Sequence, residues 1–149
     1  MDKLNEAATD FELLDDQGEL RSLRDWQDQS ILLVFYPSDN TPVCTSQLCD
    51  YRDGIEDFKG FQVQVLGISK DSVASHKAFK EKHQLPFPLL SDPKLKVAEQ
   101  WGAKGMLGMK RAVFLLDKSH IVRYQHIESL AIFRRKKEEL LEAIEAANL

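Results

Sequence analysis

The sequence predicts an α/β fold in which a central mixed β-sheet is flanked by helices on both faces. Strand-like apolar runs alternate with segments of helical spacing along most of the chain. The run 31–36 is continuously apolar, as expected of a central strand that is covered on both faces. Two further strand-like runs, 111–116 and 120–125, come before a last amphipathic segment. With 149 residues, 43% apolar and 30% charged, we expect one globular domain spanning residues 1–149.

The first half of the chain contains a hairpin, the central strand and a helix. The runs 11–14 and 20–23 flank a polar, glycine-containing turn, which is typical of a short β-hairpin. The central strand at 31–36 is ended by Pro37. Helix signals start at Thr41-Pro42 and continue past Cys49 towards Phe58, with Gly60 as the stop.

The second half continues the alternation of strands and helices. In order we expect a strand at 61–68, a helix at 73–82 capped by Asp71 or Ser72, a loop and short edge strand at 85–90, a helix from Asp92-Pro93 to Trp101, and the strands 111–116 and 120–125 joined by a tight turn. The C-terminal helix is indicated by a face with helical spacing: Leu130, Phe133, Leu140, Leu141 and Ile144. We interpret the charged run 134–139 as a solvated helix face.

Composition excludes several classes of function. The net charge of −4 and the pI of about 5.6 give no electrostatic case for binding nucleic acid or an anionic membrane. No apolar run approaches the roughly 20 residues of a membrane helix. The N-terminal residues have neither the basic region nor the apolar region of a secretory signal, so we expect a cytoplasmic protein.

The two cysteines, Cys44 and Cys49, are too few for a disulfide scaffold. In a reducing compartment a close pair is either redox-active or metal-binding. Zinc normally takes four ligands, with a second ligand pair near the first. The four histidines are scattered through other elements and form no such pair, so we interpret them as surface or packing residues: His76, His83, His120 and His126. No metal site is predicted.

Cys44 falls where a thiol can become a nucleophile. Thr41 followed by Pro42 is a helix-start signature, a capping hydroxyl and then proline at the first helical position. Cys44 is then in the first turn, where backbone N–H groups lack intrahelical partners and carry the positive end of the helix dipole. Such a site favours the thiolate and can also hold a polarised oxygen. The alternative is that Cys44 is simply a small buried hydrophobic residue.

The spacing of the two cysteines has a mechanical consequence. Residues five apart in a regular helix have Cα atoms roughly 8 to 9 Å apart and point about 140° apart around the axis. Because a disulfide needs Cα atoms closer than about 7 Å, Cys44 and Cys49 cannot bond while the helix is intact. A redox cycle that uses both thiols therefore requires the first turns of this helix to unwind.

The segment 35–45, Phe-Tyr-Pro-Ser-Asp-Asn-Thr-Pro-Val-Cys-Thr, resembles the active-site signature of the peroxiredoxins, Pro-x-x-x-Thr-x-x-Cys. Cys49, five residues on, is similar to the resolving cysteine of the bacterioferritin comigratory protein (peroxiredoxin Q) subfamily. The segment 111–117, Arg-Ala-Val-Phe-Leu-Leu-Asp, resembles the second block of the same family, and the similarity covers essentially the whole chain.

The resemblance implies a role for five residues. Cys44 would be the peroxidatic cysteine and Cys49 the resolving one. Pro37 would cover the sulfur, Thr41 would hydrogen-bond the peroxide, and Arg111 would stabilise the thiolate and orient the substrate. The implied fold is thioredoxin-like with an N-terminal β-hairpin extension, and no metal, haem or flavin is implied.

The implied activity is a thiol-dependent peroxidase that reduces hydrogen peroxide and organic hydroperoxides through a Cys44 sulfenic acid and a Cys44–Cys49 disulfide. Its role would be antioxidant defence, and thioredoxin or a similar dithiol would recycle it. A monomer is expected, with a weak dimer as the alternative. Two rival functions are a thiol–disulfide oxidoreductase, against which the absence of Cys-x-x-Cys counts, and a redox sensor or thiol-regulated binding module.

Two of the implied residues have structural alternatives, and the chain departs from the family pattern in three places. Arg111 could be a surface charge at the start of a strand. Lys110 beside it should point to the opposite face, so only one of the two can serve the site, and the family pattern selects Arg111. Thr41 could be a helix cap only.

Gln47 stands where many relatives carry glutamate, Ala-Thr at 8–9 replaces Ala-Pro, and the stretch 102–110 is short.

Overall fold

The computed structural model describes residues 3–129 and 133–149. Among these residues the strands are Leu13–Asp15 (β1), Leu20–Arg21 (β2), Ser30–Phe35 (β3), Val63–Ser69 (β4), Leu89–Ser91 (β5), Lys104–Gly105 (β6), Gly108–Met109 (β7), Ala112–Leu116 (β8) and Val122–Ile127 (β9). The helices are Pro42–Asp53 (α1), Ile55–Gly60 (α2), Val73–His83 (α3), Lys96–Gln100 (α4) and Lys137–Ala147 (α5), with a short 3-10 helix at Leu23–Trp26. No helix in this part of the chain is long and apolar enough to cross a bilayer.

Seven strands form one mixed sheet in the order β2-β1-β5-β4-β3-β8-β9, while β6 and β7 form a separate small hairpin. Strand β3 lies near the centre, parallel to β4 and antiparallel to β8. The N-terminal hairpin of β1 and β2 extends the sheet through an antiparallel pairing with β5. The predicted fold, a central mixed sheet with an N-terminal hairpin extension, is confirmed.

Successive residues of β3 belong to opposite cores, as the two-residue period of a strand requires. Ile31, Leu33 and Phe35 pack in one cluster together with residues of α4 and the 3-10 helix. Leu32 and Val34 pack in the other, together with residues of α1, α2, α3 and α5. The continuous apolar run thus reflects a strand with helices on both faces, and α1 and its cysteines lie over one of them.

Strand β5 was predicted at the edge of the sheet, and that prediction is wrong. Leu90 and Ser91 pair with β1, so β5 lies between β4 and β1. Its neighbour is a hairpin that is distant in sequence, and the two prolines that precede β5 restrict only the loop before it.

The helix predicted from Thr41 to Gly60 is in fact two helices that meet at Gly54. A side chain at Gly54 would come within 2.9 Å of the Lys137 side chain. The glycine therefore allows the start of α5 to approach the junction of α1 and α2 closely. α1 is thus a separate element of three turns rather than part of a long helix.

Two other helices start later than the sequence indicated. α4 begins at Lys96, after Leu95 in the left-handed region, and the Asp92 carboxylate accepts the N–H groups of Val97 and Ala98 from outside the helix. α5 begins at Lys137, and Phe133, placed on its apolar face by spacing, lies outside the helix with 54% of its surface exposed. Leu130, assigned to the same face, lies outside the described residues.

Strands β8 and β9 also differ slightly from the prediction, because β9 begins at Val122 rather than His120. His120 has a φ of 61° and belongs to the turn between the two strands. The small β6–β7 hairpin was not predicted; its strands have two residues each, too few for a period-two pattern to be visible.

Candidate active site

The first turn of α1 has the register that the sequence predicts. Thr41 is the N-cap in extended conformation, Pro42 is the first helical residue, and Cys44 is the third. Cys44 is fully buried, whereas Cys49 is partly exposed, and both are free thiols. The backbone between them is helical from Pro42–Asp53, so the two cysteines are held apart in this state.

Thr41 does not use its side chain as the predicted helix cap. Its hydroxyl makes no capping hydrogen bond and instead donates to the Ser38 carbonyl oxygen at 3.0 Å. Because the hydroxyl hydrogen is engaged by the preceding loop, the lone pairs of Oγ1 are the part of the group that can accept a hydrogen bond from an incoming ligand.

Arg111 brings a positive charge into contact with Cys44. Its Nη1 lies 3.1 Å from Cys44 Sγ, and only 3% of the residue is exposed. Arg111 immediately precedes β8, in register with Val113 and Leu115, which face the core that contains Cys44. Lys110 is exposed, as the alternation of a strand requires. The interpretation of Arg111 as a surface charge is therefore wrong.

The guanidinium of Arg111 is held by a chain of buried side chains. Gln47, one turn after Cys44, accepts a hydrogen bond from Arg111 Nη1 at 2.7 Å through Oε1. Its Nε2 donates to the Tyr51 hydroxyl at 3.0 Å, and that hydroxyl donates to the Arg135 carbonyl at 2.5 Å. Burial raises the pKa of Tyr51 well above its usual range, so the phenol keeps the proton that it donates. Each group in this chain has a consistent direction of donation.

Pro37 and Arg111 line a surface cleft of about 850 Å³ that also runs along the β6–β7 hairpin. The tip of this hairpin carries two fully exposed apolar side chains, Met106 and Leu107. A molecule in the cleft would lie against both the proline and the arginine that the sequence assigned to the site.

The half of α1 that carries Cys49 is contacted on its outer side by residues 134–137, which we call the C-terminal clasp. Arg134 donates to Asp50 at 3.0 Å and to Ser46 at 3.3 Å. The Lys137 N–H donates to the same Asp50 carboxylate at 2.9 Å. The interpretation of 134–139 as a solvated face is therefore wrong for this part of the run, because Arg134 and Asp50 side chains are only 19% and 20% exposed.

Sequence reasoning thus singled out Arg111, which contacts the Cys44 sulfur, and missed the side chains that hold the arginine and the loop before α1. Tyr51 was not singled out, although its spacing of four from Gln47 places both on one helix face. His76 was assigned to the surface or to packing, but it is fully buried and paired with Asp39 in the loop before α1. Its position five residues after Asp71, in a capped helix, gave no signal of this pairing.

Similarity to known proteins identifies the family of this chain. The sequence model of the AhpC/TSA family matches residues 4–125. Peroxiredoxin Bcp of Bacillus subtilis is 41% identical over 124 residues, which cover 78% of this chain and 79% of the relative. A chloroplastic peroxiredoxin Q of Oryza sativa is 44% identical over 121 residues, 79% of this chain and 56% of that protein. The chain therefore spans little more than half of the rice relative.

Solved structures show the same architecture. The crystal structure of peroxidoxin BcpB from Mycobacterium tuberculosis superposes with a TM-score of 0.85 and 31% identity, covering 98% of this chain and 96% of that one. Fold and site together define a thioredoxin-like protein built around a buried cysteine at a helix N-terminus. The chain belongs to the AhpC/TSA family and, within it, to the peroxiredoxins.

Proposed function

We propose that this chain is a thiol-dependent peroxidase in which Cys44 is the peroxidatic nucleophile and Cys49 the resolving thiol. The observation that carries the proposal is the distance of 3.1 Å between Arg111 Nη1 and Cys44 Sγ in a buried site. A fixed cation at this distance stabilises a thiolate, and it also stabilises the charge that develops on the leaving oxygen of a peroxide.

In the first step the Cys44 thiolate attacks the hydroxyl-bearing oxygen of a peroxide. A sulfur–oxygen bond forms as the oxygen–oxygen bond breaks, so the sulfur is oxidised to a sulfenic acid and the peroxide is reduced. The leaving oxygen takes a proton and departs as water or as an alcohol. Arg111 lies where it can donate to the reacting oxygens, and Thr41 Oγ1 can accept from the peroxide hydroxyl because its own hydrogen is donated to Ser38.

In the second step the Cys49 thiolate attacks the sulfenic sulfur. A disulfide forms, the sulfur–oxygen bond breaks, and hydroxide leaves and is protonated to water. This step requires α1 to unwind, because the intact helix holds the two residues too far apart. The contacts of the C-terminal clasp with Ser46 and Asp50 must be released or rearranged on the way.

A dithiol protein such as thioredoxin then supplies two electrons and two protons and returns both cysteines to thiols. The partial exposure of Cys49 supports this role, since an external thiolate needs access to the disulfide.

The cleft beside Pro37 and Arg111 supports organic hydroperoxides as substrates in addition to hydrogen peroxide. We further propose a cytoplasmic, single-domain protein that acts as a monomer; two free thiols fit a reducing compartment.

Two serine variants test the assignment, with hydrogen peroxide consumption followed in a stopped-flow instrument. For Cys44→Ser we expect thiol-dependent turnover to fall by more than about 10⁴-fold, as for removal of a catalytic nucleophile. Cys49→Ser is the matched control, with the same change on the same helix. It should react with one equivalent of peroxide as fast as the wild type and then keep a sulfenic acid that dimedone traps. Full turnover by Cys44→Ser would show that the assignment is wrong.

A further inference from the structure

The loop between β3 and α1, residues 36–41, is fastened to the segment that joins β4 to α3. The N–H of Asp39 donates to Asp71 Oδ2 at 2.8 Å, and the Ser38 hydroxyl donates to Asp71 Oδ1 at 3.1 Å. The Ser69 hydroxyl also donates to Asp71 at 2.5 Å, which fixes the carboxylate. Both the backbone and a side chain of the loop are therefore bound by one aspartate.

The Asp39 side chain is turned inwards, where three donors reach it. Tyr36 donates to Oδ1 at 2.7 Å, Ser75 donates to Oδ2 at 2.9 Å, and His76 Nδ1 lies 2.8 Å from Oδ2. Neither the Asp39 nor the His76 side chain has any exposed surface. Burial, followed by the nearby Asp39 charge, raises the pKa of Tyr36 well above its usual range, so the phenol remains a donor.

The second ring nitrogen of His76 lies at hydrogen-bond distance from the backbone of β5. Nε2 lies 3.1 Å from the Leu90 carbonyl oxygen, which can only accept a hydrogen bond. Nε2 must therefore carry a hydrogen, while Nδ1 faces a carboxylate that accepts two hydroxyl hydrogens. The geometry is satisfied when Nε2 donates to Leu90 and one hydrogen lies between Nδ1 and Asp39 Oδ2. Since Leu90 is in β5, the ring connects the loop to the sheet.

We propose that His76 is a positioning residue for peroxide reduction: through Asp39 it holds loop 36–41 so that Pro37 and Thr41 stay in place beside Cys44. His76 contacts Asp39 and the Leu90 carbonyl, so its effect on the site is transmitted through the loop. The connection to Thr41 is the hydrogen bond from its hydroxyl to the Ser38 carbonyl, in the middle of the fastened loop. This inference rests on the proposed function, in which Cys44 reacts with peroxide.

Three side chains around the loop could be taken for a cation site. Ligand atoms of Asp39, Asp71 and His76 lie within 4.8 Å of one another. We assign them to loop positioning for two reasons. The carboxylate oxygens already accept hydrogens from Tyr36 and Ser75, among others, and both ring nitrogens face acceptors. A cation there would have to displace these hydrogens, and the buried ring would have to lose the proton that it shares with Asp39.

The test compares His76→Leu, Asp39→Asn and the double variant, with His83→Leu on the same helix as the matched control. Two rate constants are measured for each: reaction of Cys44 with hydrogen peroxide and alkylation of Cys44 by iodoacetamide, followed by mass spectrometry. A loop that no longer holds Thr41 and Pro37 should lower the peroxide rate of His76→Leu by about 10- to 100-fold. Its alkylation rate should fall by less than about threefold, because a carbon electrophile does not need the peroxide geometry.

Asp39→Asn should stay within about threefold of the wild type, because an asparagine amide can donate to a neutral His76 and still accept from Tyr36. The double variant should react with peroxide faster than His76→Leu, because the lone buried carboxylate is gone, but about tenfold slower than Asp39→Asn, because the link to Leu90 is lost. This last comparison holds even if His76→Leu fails to fold. His83→Leu should match the wild type.

Equal peroxide rates in Asp39→Asn and the double variant would overturn the inference, as would a proportional loss of both reactions in His76→Leu. Either result would leave the proposed function intact. If instead the wild-type Cys44 did not react with peroxide, the proposed function itself would fail. An NMR spectrum of the wild type labelled with ¹⁵N at histidine adds an independent reading: we expect a hydrogen on Nε2 of His76, and an Nε2 without a hydrogen would contradict the contact with Leu90.

Discussion

Loop 36–41 and helix α1 are consecutive in the chain, yet they are held in different ways. The loop is fixed by a pair, His76 and Asp39, whose side chains have no exposed surface. The second half of α1 is held by Arg134 and Asp50, which are 19% and 20% exposed. Removing one partner of a fully buried pair costs about 3–5 kcal/mol, and a pair that keeps some contact with water costs less to separate. The comparison of these two pairs predicts that α1 opens more readily than the loop.

This difference corresponds to the two steps of the proposed cycle. Attack on a peroxide needs Pro37, Thr41, Cys44 and Arg111 in fixed positions, and the firmly held loop supplies two of them. Disulfide formation needs α1 to give way, and the partly exposed clasp allows that. The stability of the molecule is thus distributed unevenly around one active site.

The largest effect is expected at the point where the two regions meet, Arg111. Arg111→Gln should lower the rate of Cys44 oxidation by about 10²- to 10³-fold, because the charge beside the sulfur and the leaving oxygen is lost. Single-turnover reaction with hydrogen peroxide measures this rate. Arg24→Gln is the control, since it makes the same change at an exposed arginine far from the cleft and should leave the rate unchanged. An Arg111→Gln rate within threefold of the wild type would contradict the site.

A smaller effect of the opposite kind is expected in the clasp. Arg134→Gln removes the bonds to Asp50 and Ser46, so α1 should open more readily and the disulfide should form about two to five times faster. Oxidation of Cys44 should not change. Quenched samples taken after one equivalent of peroxide, analysed by mass spectrometry, give the rate of disulfide formation.

The control for the clasp is Arg123→Gln, which breaks a surface pair with Asp117 in a different part of the molecule. This variant should form the disulfide at the wild-type rate. If Arg134→Gln resolved at the wild-type rate or more slowly, the clasp would have no part in holding α1 closed.

The smallest effect on the two rates is expected from a change remote from both regions. The Asp16 carboxylate accepts the Leu89 N–H at 3.0 Å and pairs with Lys80 at 3.2 Å. Burial opposes its ionisation, but these partners outweigh burial and lower the pKa of Asp16. Asp16→Asn should cost about 1–3 kcal/mol of stability at pH 7 and leave the ratio of oxidation to resolution unchanged.

The sign of the pH dependence follows from that lowered pKa. Stability from the Asp16 charge is present above the unfolded pKa of about 3.9 and is lost as the pH falls through the lower folded value. Urea denaturation should therefore show a difference between wild type and Asp16→Asn at pH 7 that shrinks towards pH 3. A difference that grew on acidification would show that the charge does not stabilise the fold.

The sequence was sufficient for the features that depend on local pattern. The apolar run of β3 indicated a doubly covered strand, and Thr41-Pro42 gave the register that puts Cys44 in the first turn. The alternation of a strand separated Arg111 from Lys110. These features are fixed by short-range geometry, which a single sequence displays.

The features that the sequence did not predict depend on contacts between distant parts of the chain. Gly54 was expected inside a helix, but its lack of a side chain serves the approach of Lys137. β5 lies inside the sheet only because the N-terminal hairpin pairs with it. The partnership of Asp39 with His76, 37 residues later, leaves no periodic pattern in the sequence. Such pairings are set by the tertiary fold.

Hydrogen exchange before and after oxidation by one equivalent of hydrogen peroxide is the most direct test of the account. We expect the Cys44–Cys49 disulfide in the oxidised protein, with protection lost from the amides of Cys44–Asp53 and kept in loop 36–41 at Asp39, whose N–H is bound by Asp71. A disulfide accompanied by full protection of α1, or by loss of protection in the loop rather than the helix, would contradict the division between a fixed loop and a releasable helix.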